Sequence, residues 1–419
     1  MCATQVMQAS TSEPIAIDSL GKRFYQPELD ALRFLAFLLV FCRHVFSAYG
    51  LVRKHQAVSS APMPGEISSA TTISHVSYHL NPTWEMIQSL AQSCDFGVCL
   101  FFFLSSFLIT RLLLIEQNST GTVAIRDFYI RRTLRIWPLY FFFLGLVTLL
   151  SVWAPSIRST EWRVITSLVF VANWTIVLHG FAGTPIEPLW SISVEEQFYL
   201  IWPAFAAFGK KMIVAISSLF MIVPICILIY SGHRPHTINS NIWPNSLVQC
   251  LFFSGGALTA IFSKPENRCW NVSKRVSILL GGFACWLFAS GVCHVVRTES
   301  PGVVSLVAGY FFVLLGTFLI FIAFAGAPSS LFPKATLYLG KISYGLYVFH
   351  VLCLSLVMKI LFALTAHGSL STHVAIVIGI AALLGLGITI LCATASYHFL
   401  EKPFIRLKKR FTLVKSRPA

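Results

Sequence analysis

The chain has 419 residues, of which 56% are hydrophobic and only 11% charged, with a formal net charge of +15. A soluble domain carries roughly a quarter charged residues, so this composition excludes a water-soluble globular protein. Nor does the positive charge imply a nucleic-acid partner: the basic residues cluster beside the ends of apolar segments, the positive-inside pattern of a cytoplasmic-membrane protein.

The first 23 residues are polar, with Glu13 and Asp18 and no apolar stretch, and do not have the pattern of a cleaved signal peptide. From Phe34 onward, apolar segments recur at 34–51, 96–115, 136–153, 164–179, 192–208, 212–230, 246–263, 277–295, 303–326, 342–365 and 374–400. Most are long enough to cross a hydrocarbon core of about 30 Å as helices, whereas barrel strands would be shorter and alternating. Basic clusters lie at Lys22 and Arg23, from Arg126 to Arg135, at Lys210 and Lys211, from Lys264 to Arg275, at Lys334 and Lys341, and after Lys402. They share one side of the membrane only if 164–179 does not cross. The expectation is an all-α polytopic membrane protein of about ten transmembrane helices. It would be integral to the cytoplasmic (inner) membrane with both termini cytoplasmic, and 164–179 would form a re-entrant or interfacial helix on the outer face. A polar tail at 1–23 precedes a membrane domain over 24–407. A basic tail at 408–419 should follow, with the stretch from Lys402 to Ala419 along the inner, anionic lipid surface. The loop from Val52 to Asp95 is expected outside. Eleven cysteines form no CxxC pair and no metal-ligand spacing, and no metal is expected.

Ionisable groups inside a span are expensive and default to functional candidates. Arg33 and His44, eleven residues apart, lie on nearly one face of a helix and about 16 Å apart along it. His44 would then sit near mid-membrane, where a neutral imidazole takes a proton or carries an acyl group. His350 reaches a similar depth. For both, the alternative is a structural histidine bonded to a neighbouring helix. Arg43 faces another way and needs a partner that the sequence does not name. Arg131, Arg132 and Arg135 open another segment; positive-inside topology alone would account for them, but Arg131 and Arg135, four apart, also suit a phosphate clamp. Coenzyme A offers such phosphates on a long thin arm. Glu195 and Glu196, adjacent in an apolar helix, face different ways. One would orient a histidine or a substrate hydroxyl, and the other would pair with an arginine.

Six stretches in register carry a resemblance. They are Tyr25-Gln-Pro-Glu-Leu-Asp-Ala-Leu-Arg33 leading to His44, Phe96 to Thr110, Phe128-Tyr-Ile-Arg-Arg-Thr-Leu-Arg-Ile-Trp-Pro-Leu-Tyr140, Leu189 to Pro203 around Glu195-Glu196, Ile342 to His350, and Leu400-Glu-Lys-Pro-Phe404. Together the chain closely resembles the bacterial integral membrane acyltransferase family 3 over about residues 24–407. The resemblance implies a membrane O-acyltransferase that moves an acyl group, often acetyl, from acyl-CoA to a hydroxyl. The acceptor would be a surface glycan, a lipid-linked sugar or a small glycosylated molecule. It implies a catalytic His44, in the family's Arg-x10-His pattern, and Arg131, Arg132 and Arg135 on the donor. Arg33, at the head of that pattern, joins the donor-binding candidates, while Glu195, Glu196 and His350 complete the catalytic set. Acyl-CoA would be a donor substrate, with no permanently bound cofactor.

Three departures stand out. The family's Ser-Gly-Phe reads Ser105-Ser106-Phe107, Arg43 replaces an apolar residue, and Asp30-Ala31 replaces an aspartate-glycine pair. No esterase-like domain follows the last segment, so a stand-alone membrane form is expected. The expected path runs from arginines on the inside, through His44 and His350 at mid-depth, to Glu195 and Glu196 nearer the outside. The rival is a proton-coupled transporter or flippase, which intramembrane His and Glu would also suit, although no half-to-half repeat is evident.

Overall fold

The computed structural model describes residues 25–59, 82–234, 242–263, 270–295, 301–365 and 374–411. Among these the protein is all helix, with no strand. The long helices are α1 (Pro27–Ser59), α3 (Gly97–Thr120), α4 (Ile125–Trp153), α7 (Leu189–Ala207), α8 (Lys210–Gly232), α9 (Ser246–Phe262), α10 (Val272–Gly291), α11 (Val303–Phe324), α13 (Ser343–Thr365) and α14 (Val374–Ser396). Shorter ones are α2 (Pro82–Ser93), α5 (Glu161–Leu168), α6 (Ala172–His179), α12 (Lys334–Lys341) and α15 (Lys402–Lys408). Among the described residues, seven helical stretches are long and apolar enough to cross a membrane. They contain α3, α4, α8, α10, α11, α13 and α14. The 17-residue α9 is apolar but shorter, and α1 and α7 carry the charged groups singled out above. The molecule is an all-α polytopic membrane protein.

The segment 164–179 does not form one long helix. It is broken into α5 and α6, each of 8 residues and thus about 12 Å long, well short of a hydrocarbon core. The break falls at Phe170, which adopts φ 56°, an uncommon region for a bulky side chain. The Gln197 side chain fixes it by donating to the Phe170 carbonyl at 2.8 Å, while the Phe170 ring lies 4.6 Å from that of Tyr140. The region 52–95 also departs from a simple loop. Helix α1 continues to Ser59, and α2 with a 3-10 turn at Cys94–Phe96 leads straight into α3. Residues 60–81 lie outside the described residues, as do residues 1–24 and 412–419 of the two tails.

Helix α3 runs through the centre of the bundle, packed by α1, α7, α9 and α11. Its Phe102, Phe103 and Phe107 are fully buried, with Phe102 against Phe253 at 4.9 Å and Phe107 against Phe321 at 4.7 Å. Lipid tails are as apolar as leucine, so packing rather than hydrophobic exclusion must hold such helices together. Close approach is achieved at Gly256, where a Cβ would fall 2.2 Å from both the Phe103 carbonyl oxygen and the Ser106 Oγ. The serine that replaces the family's glycine on α3 is therefore accommodated by a glycine on α9.

Candidate active site

The N-terminal end of α1 is built to hold Arg33. Pro27 opens the helix, where its missing N–H costs nothing. Asp30, one turn before Arg33, receives its guanidinium at 2.5 Å and the Tyr25 hydroxyl at 2.9 Å. Arg33 then lines a cavity of about 180 Å³ together with Arg132 and Arg135 of α4, Ser105 of α3, Glu195 and Tyr199 of α7, Tyr347 of α13 and Lys408 of α15. Four cationic side chains line this space against two carboxylates, Asp30 and Glu195. Asp30 is engaged by Arg33 and Tyr25, so the surplus positive charge faces the cavity. In a low-dielectric surrounding such crowding is relieved most effectively by a polyanion.

The three arginines of α4 do not act alike. Arg131 pairs with Glu116 of α3 at 3.1 Å and donates to the Phe411 carbonyl at 2.8 Å. Arg131, expected to clamp with Arg135, is thus held off the cavity wall, which Arg132 and Arg135 line. Residues three and four apart are equally neighbours on a helix, and Glu116 on the adjoining helix decides between them. The Arg132 guanidinium lies over the rings of Phe128 and Tyr199, at 5.5 and 5.1 Å, which fixes its plane. Glu195 faces Tyr199, Arg132 and Ser105, and the hydroxyls of Ser105 and Tyr199 are 2.5 Å apart. Glu196 turns away, as adjacent helix positions require, and accepts from Trp137 Nε1 at 3.0 Å. Neither glutamate is separated from the arginines. Glu195 of α7 lines the same cavity as Arg132 and Arg135 of α4, which brings them to one depth.

Beyond the cavity lies a pair of imidazoles. The rings of His44 and His350 are 5.0 Å apart, centroid to centroid, at 62°. His350 is fully buried and its Nδ1 lies 2.5 Å from the carbonyl oxygen of Tyr347. Tyr347 belongs to both places: it lines the cavity, and its ring lies 5.4 Å from that of His350. Its hydroxyl is 2.6 Å from Ser191 Oγ and donates to the Pro188 carbonyl at 3.2 Å. Arg43, beside His44, has its partner in Asp95, with Nε to Oδ2 at 2.7 Å, and also donates to Ser47.

Residues 26–393 match the family model described as an acyltransferase domain. The chain belongs to acyltransferase family 3. Among family members, it is 28% identical over 324 residues to the peptidoglycan O-acetyltransferase OatA of Listeria monocytogenes, covering 70% of this chain and 49% of that protein. It is 27% identical over 372 residues to the O-acetyltransferase OatA of Staphylococcus aureus, covering 84% of this chain and 58% of that protein. The chain thus spans about half the length of the curated relatives it matches. No solved structure matches it. Family membership leaves the transporter reading without support.

Several cavity residues of this family 3 chain escaped sequence reasoning. Ser105, Tyr199 and Tyr347 sit inside the resembling motifs but are neutral, so the cost of burying charge did not single them out. Lys408 is the larger surprise. After α14 the backbone widens into a π turn at Tyr397–Glu401, a feature common at functional sites. It continues directly into α15, which packs on α4 and brings Lys408 to the cavity and the Phe411 carbonyl to Arg131. The basic tail, expected on the lipid surface from residue 402, is part of the bundle as far as Phe411. The motif Leu400-Glu-Lys-Pro-Phe404 was the available signal.

Proposed function

We propose that the chain is a membrane O-acyltransferase that moves an acyl group, acetyl by analogy with its relatives, from acyl-CoA to a hydroxyl of a glycan or other glycosylated acceptor. The observation that carries this reading is the cationic cavity joined through Tyr347 to the imidazoles of His44 and His350. Arg33, Arg132, Arg135 and Lys408 suit the phosphates of a donor arriving from the cytoplasmic side. Arg131 acts indirectly, by anchoring α4 to α3. His44 lies about 16 Å farther along α1 than Arg33, a separation that suits an extended donor with its anionic end among the arginines and its thioester near the imidazole.

His44 serves as general base, or as transient acyl acceptor, for the incoming hydroxyl. Both routes break the thioester C–S bond, form a C–O bond to the acceptor and return the hydroxyl proton to the departing thiolate. Glu195 orients Arg132 and Tyr199 within the donor cavity, whereas Glu196 is held by Trp137 on the far side of α7. The named substrates of the relatives support a glycan acceptor of the peptidoglycan type. The positive-inside pattern supports residence in the cytoplasmic membrane with both termini inside.

The deciding experiment is CoA release from acetyl-CoA by the purified protein, with and without cell-envelope extract. The wild type should turn over with extract. His44→Ala should lose about 10²–10⁴-fold in kcat, the range for a missing acid–base group. Arg135→Ala should act mainly through KM for acetyl-CoA. A protein that releases no CoA under any acceptor condition would sink the proposal, since a transporter leaves the thioester intact.

A further inference from the structure

His350 combines two features that no step above uses: a main-chain bond on one ring nitrogen and a bare second nitrogen. Its Nδ1 lies 2.5 Å from the Tyr347 carbonyl. A carbonyl oxygen only accepts, so Nδ1 carries the proton, and in a neutral imidazole Nε2 is then an acceptor. That Nε2 is buried and has no hydrogen-bond partner among the described residues. Buried polar atoms are nearly always paired, and an exception calls for a reason. Phe37 and Tyr347 close in on the ring at 6.0 and 5.4 Å, and the His44 imidazole stands against it at 5.0 Å. Bonds used in catalysis are often loose before substrate binds, and a centroid separation of 5.0 Å leaves a hydrogen bond between ring nitrogens within geometric reach.

We infer that His350 is the proton partner of His44, locked in one tautomer by the Tyr347 carbonyl, so that the two imidazoles act as a relay. The inference rests on the acyltransferase reading of His44 and names a positioning residue within it. As the acceptor oxygen attacks the thioester carbonyl, the C–O bond forms and the hydroxyl proton passes to His44. The resulting imidazolium shares its other N–H with Nε2 of His350, which stabilises it. The C–S bond then breaks, His44 returns a proton to the thiolate, CoA leaves as the thiol, and both histidines end neutral. Tyr347 links this relay to the donor, because the residue whose carbonyl orients His350 also lines the cationic cavity.

The test measures kcat and KM for acetyl-CoA in detergent, with envelope extract as acceptor, for wild type, His44→Ala, His350→Asn and His350→Gln. Asparagine keeps a donor for the Tyr347 carbonyl but has nothing at the Nε2 position, whereas glutamine reaches that position. His350→Asn is expected to melt like wild type and to keep KM within about twofold, while kcat falls at least about tenfold. His350→Gln should recover part of the loss. Wild-type kcat in His350→Asn would overturn the relay and leave His350 as a structural bond to Tyr347. If the asparagine variant unfolds, the double variant His44→Ala/His350→Gln decides. A second substitution that costs nothing beyond His44→Ala supports a role exercised through His44, and additive losses overturn it. A wild type that releases no CoA defeats the acyltransferase reading instead, so the two failures are distinguishable.

Discussion

The contrast between Arg131 and Arg135 shows how much a single neighbour decides. Both sit in the first half of α4, one helical turn apart, and nothing in their spacing separates them. Glu116 on α3 takes Arg131 into a largely buried pair at 3.1 Å, leaving Arg135 on the cavity wall with Arg132. Removing one member of a buried pair strands the other, at a cost of up to about 3–5 kcal/mol. Arg131→Ala should therefore lower the melting temperature of the detergent-solubilised protein while any surviving folded protein keeps its KM for acetyl-CoA. Arg135→Ala should lower melting less, since Glu401 faces it without the close pairing that joins Arg131 to Glu116, and should weaken donor binding by about 1.5–3 kcal/mol, the range for a hydrogen bond to a charged group. Equal effects of the two substitutions on both readouts would contradict the division. The same logic accounts for Arg43. Its partner, Asp95, is 52 residues away, a separation at which no helical spacing rule operates.

Between elements, the packing of α3 on α9 compensates for the departure at Ser106. A side chain at Gly256 would run into the Phe103 carbonyl and Ser106 Oγ, and overpacking of this kind costs about 1–3 kcal/mol. Gly256→Leu should lower the thermal midpoint, and Ser106→Gly in the same chain should restore only part of it, because the Phe103 carbonyl remains in the way. Full restoration would show that Ser106 alone sets the spacing. The π turn at Tyr397–Glu401 is a second device at this scale. Apolar length at 374–400 predicts one continuous helix, and the helical path runs on through the widened turn to Lys408, so that α15 packs on α4. Glu401, buried within that turn, faces Arg135 of α4.

For the molecule as a whole, the decisive topological feature is the pair α5 and α6. Because neither is long enough to cross, the chain at Thr160, before α5, and at Thr184, after α6, should lie on the same side of the membrane. Single cysteines at these positions, in a background lacking the native ones, should both react with an impermeant maleimide from the outside of sealed cells. Labelling from opposite sides would require 164–179 to cross and would reverse the orientation of every later helix. The hairpin also matters to the site, since it packs on α7 and α4, which carry Glu195, Arg132 and Arg135.

Much of this architecture was legible in the sequence because membrane insertion acts on local quantities. Hydrophobic length and charge at segment ends identify spans and their parity, without reference to distant residues. Each of the ten segments expected to cross corresponds to a long helix, and charge parity singled out 164–179. The expense of burying charge likewise marked Arg33, Arg132, Arg135, Glu195, His44 and His350 before any packing was known. What only the tertiary structure decided is pairing. Which arginine meets Glu116, where Arg43 finds Asp95, how Lys408 reaches the cavity, and how Tyr347 belongs both to the donor space and to the surroundings of the imidazoles all depend on contacts between helices far apart in sequence. Helix spacing constrains which face a side chain occupies; it carries no information about which helix packs against that face.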